Sequence, residues 1–321
     1  MSIWGQLDIR IDPWDADYGA STGFEGFAED DTRLELDLEM QDWCAIGAQD
    51  EVAPERWVFI DGIRRIDARV VALRPDGELL YGLFGTYGVG AVGIAHGRAT
   101  IDVEEVDRVI VTGCGELGAD VIQVMKNVVY RPVSTPSTDP DGPLIRLQTE
   151  MRLAEARLAQ ASLESDALVV SDGPLAHKDL GAGVVGYVKR IFDPYLPRAH
   201  APFLASLPAK HRTPVFAIHG GNHSRFAWFL RLSDPAKGHS PYAGVVRLEV
   251  DGSIGITEAV RLANLTTLFL PKLASSRTFD PRAPQNLIPV GALETHLRHL
   301  LGDPTLIRRA IESKISEGIH E

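Results

Sequence analysis

The sequence predicts an α/β fold in which helices flank a mixed sheet. Three observations point there: an antiparallel meander over residues 57–111, a long helical period after a turn-rich loop, and a second buried-looking strand directly behind that helix. Alternating helices and strands complete the chain. One main domain with insertions is expected over 53–321, with a helical C-terminus, preceded by an acidic N-terminal segment (1–52) whose structure the sequence leaves open.

The elements follow in order. Ala53-Pro54 leads into the strand Trp57-Val58-Phe59-Ile60-Asp61, which is expected to stop at Gly62. A second strand is expected over 65–73, Pro75-Asp76-Gly77 supplies turn chemistry, and a third strand starts at Leu79. Val109 to Val111 is a further β-branched run. Residues 134–143 are a loop by composition. Behind it, Leu147, Met151, Ala154, Leu158 and Ala161 recur on one stripe of a helix over 144–163. Ala167-Leu168-Val169-Val170-Ser171-Asp172 then reads as a strand, again ended by Asp-Gly. A helix is expected over 184–191, strands over 214–218 and 245–250, and helices over 290–301 and 305–316.

Bulk properties narrow the class. The chain has 321 residues, 45% hydrophobic and 24% charged, the profile of an ordinary soluble globular protein. No apolar run approaches the roughly 20 residues of a membrane span, and no basic-then-apolar leader opens the sequence, so a cytoplasmic protein is expected. Cys44 and Cys114 are the only cysteines and lie outside any Cys-x-x-Cys pattern. That disfavours a disulfide framework or thiolate zinc site and fits a reducing compartment. Any metal must therefore find oxygen or imidazole ligands. A net charge of −12 argues against gripping nucleic acid with the whole surface. A local basic strip could still hold phosphate, with Arg64, Arg65, Lys189, Arg190 and Arg198 as its candidates.

Chemistry concentrates at the two strands that end alike, Phe59-Ile60-Asp61-Gly62 and Val170-Ser171-Asp172-Gly173. Asp-Gly most often marks a turn. Here both copies follow apolar strands and lie on either side of a long helix. Two carboxylates delivered side by side repel and need a cation between them, and Mg²⁺ or Mn²⁺ suits such oxygens. A strand acid, a helix acid and a second strand acid, in that order, make a ribonuclease-H-like site. At about 100° per residue, Glu150 and Glu155 flank the apolar stripe on opposite sides, so helical geometry leaves either open as the helix acid.

Elsewhere, His219-Gly220-Gly221-Asn222-His223 has i,i+4 spacing, but its two glycines argue against a helical zinc motif, and loop histidines are expected as polar surface contacts. Glu249, read as the end of a strand, is expected to be solvated or salt-bridged. Lys189 is read as following Tyr187 on the helix of 184–191, either solvated or touching phosphate.

Six stretches, in order, resemble the NurA family of nucleases that work with the HerA ATPase. They are Phe59-Ile60-Asp61-Gly62-Ile63-Arg64-Arg65, Ser171-Asp172-Gly173-Pro174-Leu175, Gly186-Tyr187-Val188-Lys189, Phe226-Ala227-Trp228-Phe229-Leu230-Arg231-Leu232, Val246-Arg247-Leu248-Glu249, and a degenerate block from Gln285 to Glu294. The resemblance implies a ribonuclease-H-like core, a mixed sheet of five-stranded type. It matches Asp61 and Asp172 to the family's strand acids and selects Glu155, in Met151-Arg152-Leu153-Ala154-Glu155, as the helix acid. Where the family shows a tyrosine and then a histidine, this chain has Gln285 and Glu294, with His296 as the alternative last ligand. Two ions, Mn²⁺ or Mg²⁺, would then be held by Asp61, Glu155, Asp172 and Glu294, with Asp61 bridging them. Arg64, Arg65 and Lys189 would contact DNA.

The activity so implied is two-metal phosphodiester hydrolysis of DNA ends or single strands in end resection and repair, with a hexameric HerA-type ATPase as partner and a homodimer as the assembly. Rival readings are another ribonuclease-H-like enzyme, and a catalytically silent subunit that binds such a motor or DNA.

Overall fold

Four successive apolar residues, Trp57 to Ile60, leave their strand no face for water, so it needs cover on both sides. The computed structural model supplies that cover. It describes residues 9–11, 33–74, 76–115, 121–163, 167–175, 183–189, 196–220, 223–235, 239–276, 278, 280 and 282–317. The strands are β1 (Ile9–Ile11), β2 (Arg33–Glu35), β3 (Ile46–Gly47), β4 (Arg56–Leu73), β5 (Leu79–Ala95), β6 (Arg98–Thr112), β7 (Ile122–Met125) and β8 (Val128–Ser134), then β9 (Leu168–Asp172), β10 (Val184–Val188), β11 (His211–Arg212), β12 (Phe216–Gly220), β13 (His223–Arg231) and β14 (Val245–Asp251). The helices are α1 (Gly142–Leu163), α2 (Ala201–Ser206), α3 (Ile256–Phe269), α4 (Ile288–Leu300) and α5 (Pro304–Ser316).

At the centre of the sheet β4, β5 and β6 run antiparallel, while β9 and β10 lie parallel to β4 on its other side. This is the ribonuclease-H-like arrangement that the sequence predicts. Insertion strands β14, β13, β12 and β2 lengthen one side and β8 and β7 the other. Trp57 and Phe59 pack against Leu262 and Leu265 of α3 and Val290 of α4, whereas Val58 and Ile60 face Ala159 of α1. Helix α1 therefore covers one face of the central strands and α3 with α4 the other. On its own face α1 sets Leu144, Leu147, Met151 and Ala154 on Val89, Val109 and Val111, as its stripe predicts. Ala161, at the far end of that stripe, is exposed.

Several expectations need correction. Strand β4 does not stop at Gly62, which pairs with Val89 in an uninterrupted ladder; the register slips only between Ile66 and Ala68, a bulge at Asp67. Residues 184–188 form β10, not a helix, because β9 and β14 take up their backbone hydrogen bonds. A five-residue apolar run cannot be told from a buried helical turn by period alone. Residues 190–191 of that expected helix, Arg190 included, lie outside the described residues. The sequence reading assigns nothing to residues 256–269, where α3 forms. Within the first 52 residues, β1, β2 and β3 add to β4, β12 and β11 of the same sheet, and Glu39 grips the buried Arg212 through both carboxylate oxygens at 2.7 Å. The described part of that segment is thus built into the main sheet. No helix among the described residues is long and apolar enough to cross a membrane.

Candidate metal centre

Parallel strands β4 and β9 are paired up to Ile60 and Ser171, which makes Asp61 and Asp172 the next residue on each. Side chains alternate along a strand, so both acids follow Phe59 and Val170 onto the face of α3 and α4. Gly62 points the other way. A Cβ there would lie 2.5 Å from Glu155 Oε1 and 3.0 Å from Met151 Cγ. The glycine is a close-approach residue that lets α1 settle onto β4 and brings Glu155 to the acids, not a turn. Gly173 does end its strand. It holds φ +97°, where a side chain is strained, and its N–H donates to Tyr187 O at 2.8 Å.

The two helix glutamates separate cleanly. Glu155 is buried, and Arg152 Nη1 donates both to its Oε2 (3.0 Å) and to the Asp172 carbonyl (2.7 Å). Glu150 instead pairs with Arg131 and Arg146, each at 2.7 Å. Across the sheet, α4 presents Glu294, also buried. Arg282 clasps both its oxygens at 2.8 and 2.6 Å, and Arg298 and Lys189 stand at 3.6 and 3.7 Å. Lys189 Nζ lies 2.9 Å from Asp172 Oδ2, so it bridges the β9 acid and the α4 acid. Correcting its expected place on a helix, Lys189 directly follows β10.

The acids are incompletely satisfied. Asp61 Oδ2, Asp172 Oδ1 and Glu155 Oε1 are buried and have no hydrogen-bond partner among the described residues. Burial and the neighbouring Asp172 hold the Asp61 carboxyl well above the usual carboxylate range, with Glu155 and Glu294 adding to the rise and Lys189 opposing it. Glu155 is also raised, by burial first and then by Asp172, against the pull of Arg152 and of the Gly62 backbone N–H. Burial pushes Glu294 up too, yet the hydrogen bonds from Arg282 and the charges of Lys189, Arg282 and Arg298 bring it below its ordinary value.

A pair or triad of buried carboxylates with unused oxygens is hard-donor chemistry, which fits Mg²⁺ or Mn²⁺. Among the described residues no three His, Cys, Asp or Glu side chains close into a ready metal-holding group. The protein's own cations, Arg152, Lys189 and Arg282, compensate these acids instead.

Other expected site residues lie elsewhere. Arg64 donates to Gln148 of α1 at 2.5 Å. Arg65 is fully engaged: Nε donates to Asp67 at 2.7 Å, and its other nitrogens to Leu301 O (3.0 Å) and Gly302 O (2.7 Å) at the C-terminus of α4. Asp67 is buried and also accepts from Tyr130 Oη at 2.7 Å and from Thr86 Oγ1. Sequence reasoning missed this bulge acid, and no local signal marks it, because two of its three partners come from other strands, Thr86 from β5 and Tyr130 from β8. Arg198 is exposed on a short turn before α2. His296 pairs with Glu104 in the open, and Gln285 offers its backbone carbonyl to Tyr187 Oη at 2.6 Å. His219 sits on the β12–β13 hairpin with Nδ1 2.8 Å from Ser224 Oγ, not on a helix. Glu249 lies within β14 and is buried, salt-bridged to Arg247 at 2.8 Å; it neither ends the strand nor meets solvent.

Comparisons with known proteins agree with this architecture. No curated protein matches the chain in sequence. The crystal structure of the NurA nuclease from Sulfolobus solfataricus superposes with a TM-score of 0.51 at 12% identity, covering 86% of this chain and 88% of that one. The catalytic domain of human endonuclease V aligns over 78% of this chain and 85% of its own at 13% identity, with a TM-score of 0.37, a likeness too loose to carry weight. The family model described as the NurA domain matches residues 77–290, well over half of the sequence. The chain belongs to the NurA family.

Proposed function

We propose that this protein is a divalent-metal-dependent deoxyribonuclease that hydrolyses phosphodiester bonds with two ions, Mn²⁺ or Mg²⁺. The observation that carries the reading is the set of three buried carboxylate oxygens, on Asp61, Glu155 and Asp172, that find no hydrogen-bond partner among the described residues. Buried polar atoms are rarely left unpaired, and anionic ones least of all. Family membership supports the nuclease class.

Asp61 comes from the central strand β4, and its Oδ2, unpartnered among the described residues, suits it to hold both ions. Glu155 reaches the site over Gly62, and Arg152 orients it through Oε2 so that Oε1 stays available. Asp172 offers Oδ1 from β9, and Glu294 would join once released from Arg282. When bound, a pair of divalent ions activates the attacking water and neutralises the departing oxygen. Water adds to phosphorus, the bond to one ester oxygen breaks, and that oxygen leaves as a hydroxyl. Lys189, whose ammonium sits beside Asp172 and Glu294, is placed to meet a phosphate oxygen.

The substrate we propose is DNA, as an end or a single strand. With a net charge of −12 the chain is poorly suited to capture duplex unaided. A HerA-type hexameric ATPase feeding DNA to a NurA dimer, in end resection, fits both the charge and the family. Equal cleavage of duplex ends with and without such a motor would count against the partnership.

The direct test is cleavage of single-stranded DNA by purified protein with Mn²⁺ and with chelator, beside Asp61→Asn. Cleavage that needs the metal and is lost in the variant is the expected result. A second reading, a silent subunit, draws on one observation, the two-pronged hold of Arg282 on Glu294. Absence of cleavage under all these conditions would favour it.

A further inference from the structure

Lys189 stands where the acids most need positive charge. Its ammonium is 2.9 Å from Asp172 Oδ2 and 3.7 Å from Glu294 Oε1, joining an acid of the central sheet to one of α4. The same Asp172 leaves Oδ1 unpaired, as Asp61 leaves Oδ2. Half of the Asp172 carboxylate is thus committed to an internal cation and half is open. The lysine side chain is 14% exposed, so it is not sealed from solvent, and its four-carbon stem can swing the ammonium. Arg152 differs. It is tied to the Asp172 carbonyl as well as to Glu155, and packs where a Cβ on Gly173 would collide with it at 2.6 Å. Arg152 is built in, whereas the partners of Lys189 among the described residues are carboxylates.

A divalent ion entering at Asp61 and Asp172 meets that ammonium as a like charge beside shared ligands. The two cannot be bound there without mutual repulsion. We propose that Lys189 is a resident counter-cation: it holds the metal-free acids together, yields Asp172 when the metal arrives, and is then free to bind a DNA phosphate oxygen. The inference rests on the metal-dependent nuclease reading above and adds to it a coupling between metal and substrate. A phosphodiester gives the displaced ammonium a new partner, so DNA strengthens metal binding. By linkage, metal strengthens DNA binding by the same factor.

The test follows Mn²⁺ binding through the melting temperature of the full chain, without turnover. Wild type, Lys189→Met and Lys189→Arg are titrated with MnCl₂, alone and with a phosphorothioate oligonucleotide. In Lys189→Met the metal-free protein should melt lower, because Asp172 loses its counter-charge. Its Mn²⁺ midpoint should fall roughly fivefold or more below that of wild type, because nothing must be displaced. The oligonucleotide should lower the midpoint in wild type and in Lys189→Arg by clearly more than in Lys189→Met, where only the direct meeting of phosphate and metal remains. A Mn²⁺ midpoint in Lys189→Met equal to or above that of wild type overturns the proposal while leaving the metal site standing. If Lys189→Met does not fold, an unchanged wild-type midpoint on adding oligonucleotide overturns it equally. Absence of any Mn²⁺ response in wild type, with no cleavage, removes the nuclease reading itself and this inference with it.

Discussion

The two helices that bring a buried glutamate to the central acids do so in opposite electrostatic company. On the α1 side, Glu155 meets one arginine through Oε2 and keeps Oε1 without a partner, and its carboxyl is held above the ordinary range by burial and Asp172. On the α4 side, Glu294 is buried nearly as deeply, yet Arg282 takes both oxygens and Lys189 and Arg298 stand by, so it is held below. Burial alone does not decide the state of a carboxylate; its partners do. The α1 side still demands a cation and the α4 side is already compensated. The metals are therefore expected on Asp61, Glu155 and Asp172, with Glu294 a conditional fourth.

The largest expected effect comes from the shared acids. Asp61→Asn and Asp172→Asn should each cut Mn²⁺-dependent DNA cleavage by roughly a hundredfold or more, beyond the usual cost of losing an outer-shell partner. The metal-free melting temperature of Asp61→Asn should hold or rise, since one buried negative charge is gone. Next, Glu155→Gln should lose clearly more activity than Glu294→Gln, and His296→Ala less than either. Equal losses for the two glutamates would erase the contrast drawn between the helices. Arg65→Met tests the scaffold of the α4 side. It strips the buried Asp67 of its ion pair and takes the Arg65 donors from Leu301 O and Gly302 O at the end of α4, leaving Leu301 O to Arg108, so it should cost about 3 kcal/mol of stability. Unchanged melting would show that Tyr130 and Thr86 suffice for Asp67. Glu150→Gln, on the far side of α1, should leave cleavage within about twofold of wild type.

Acidity gives a finer comparison. A carboxyl raised on folding stabilises the native state fully below its unfolded value, near pH 4, and that contribution is lost as pH climbs to the raised one; Asp61 and Glu155 are of this kind. Asp280, held to about 2 against the tendency of burial by hydrogen bonds from Arg282 and Asn286, and Glu294 work oppositely. Their stabilisation is present above the unfolded values and lost as pH falls through the folded ones. Melts of metal-free protein from about pH 3 to 8 should therefore pass through a maximum, and Asp61→Asn should flatten the decline on its alkaline side. A decline of the same depth in the variant would assign it to other groups.

Much of this was legible in the sequence where local pattern and fold agree. The apolar run before Asp61, the stripe of α1, the run before Asp172, and the two helical runs over 290–301 and 305–316 all carry their own signals. Glu155 came from family resemblance, since helical angle left Glu150 open; the close approach that sets Glu155 over β4 is with Gly62, remote in sequence. Gly62 itself misled because a close-approach glycine and a turn glycine look alike in sequence. Residues 184–188 misled because β10 owes its form to two neighbours, not to its own period. Arg65 reads as part of a basic strip, yet its acceptors at Leu301 and Gly302 are remote along the chain and invisible to motif or charge counting.

The central claim is that the unpartnered oxygens of Asp61, Glu155 and Asp172 are metal ligands. Crystals of the wild-type protein soaked in MnCl₂ and measured for anomalous scattering test it most directly. The account predicts two manganese peaks roughly 3.5–4 Å apart, both touching Asp61, with Asp172 Oδ1 and Glu155 Oε1 among the ligands and Lys189 turned away from Asp172. Ordered manganese bound only elsewhere, with Lys189 still seated on Asp172, would contradict it.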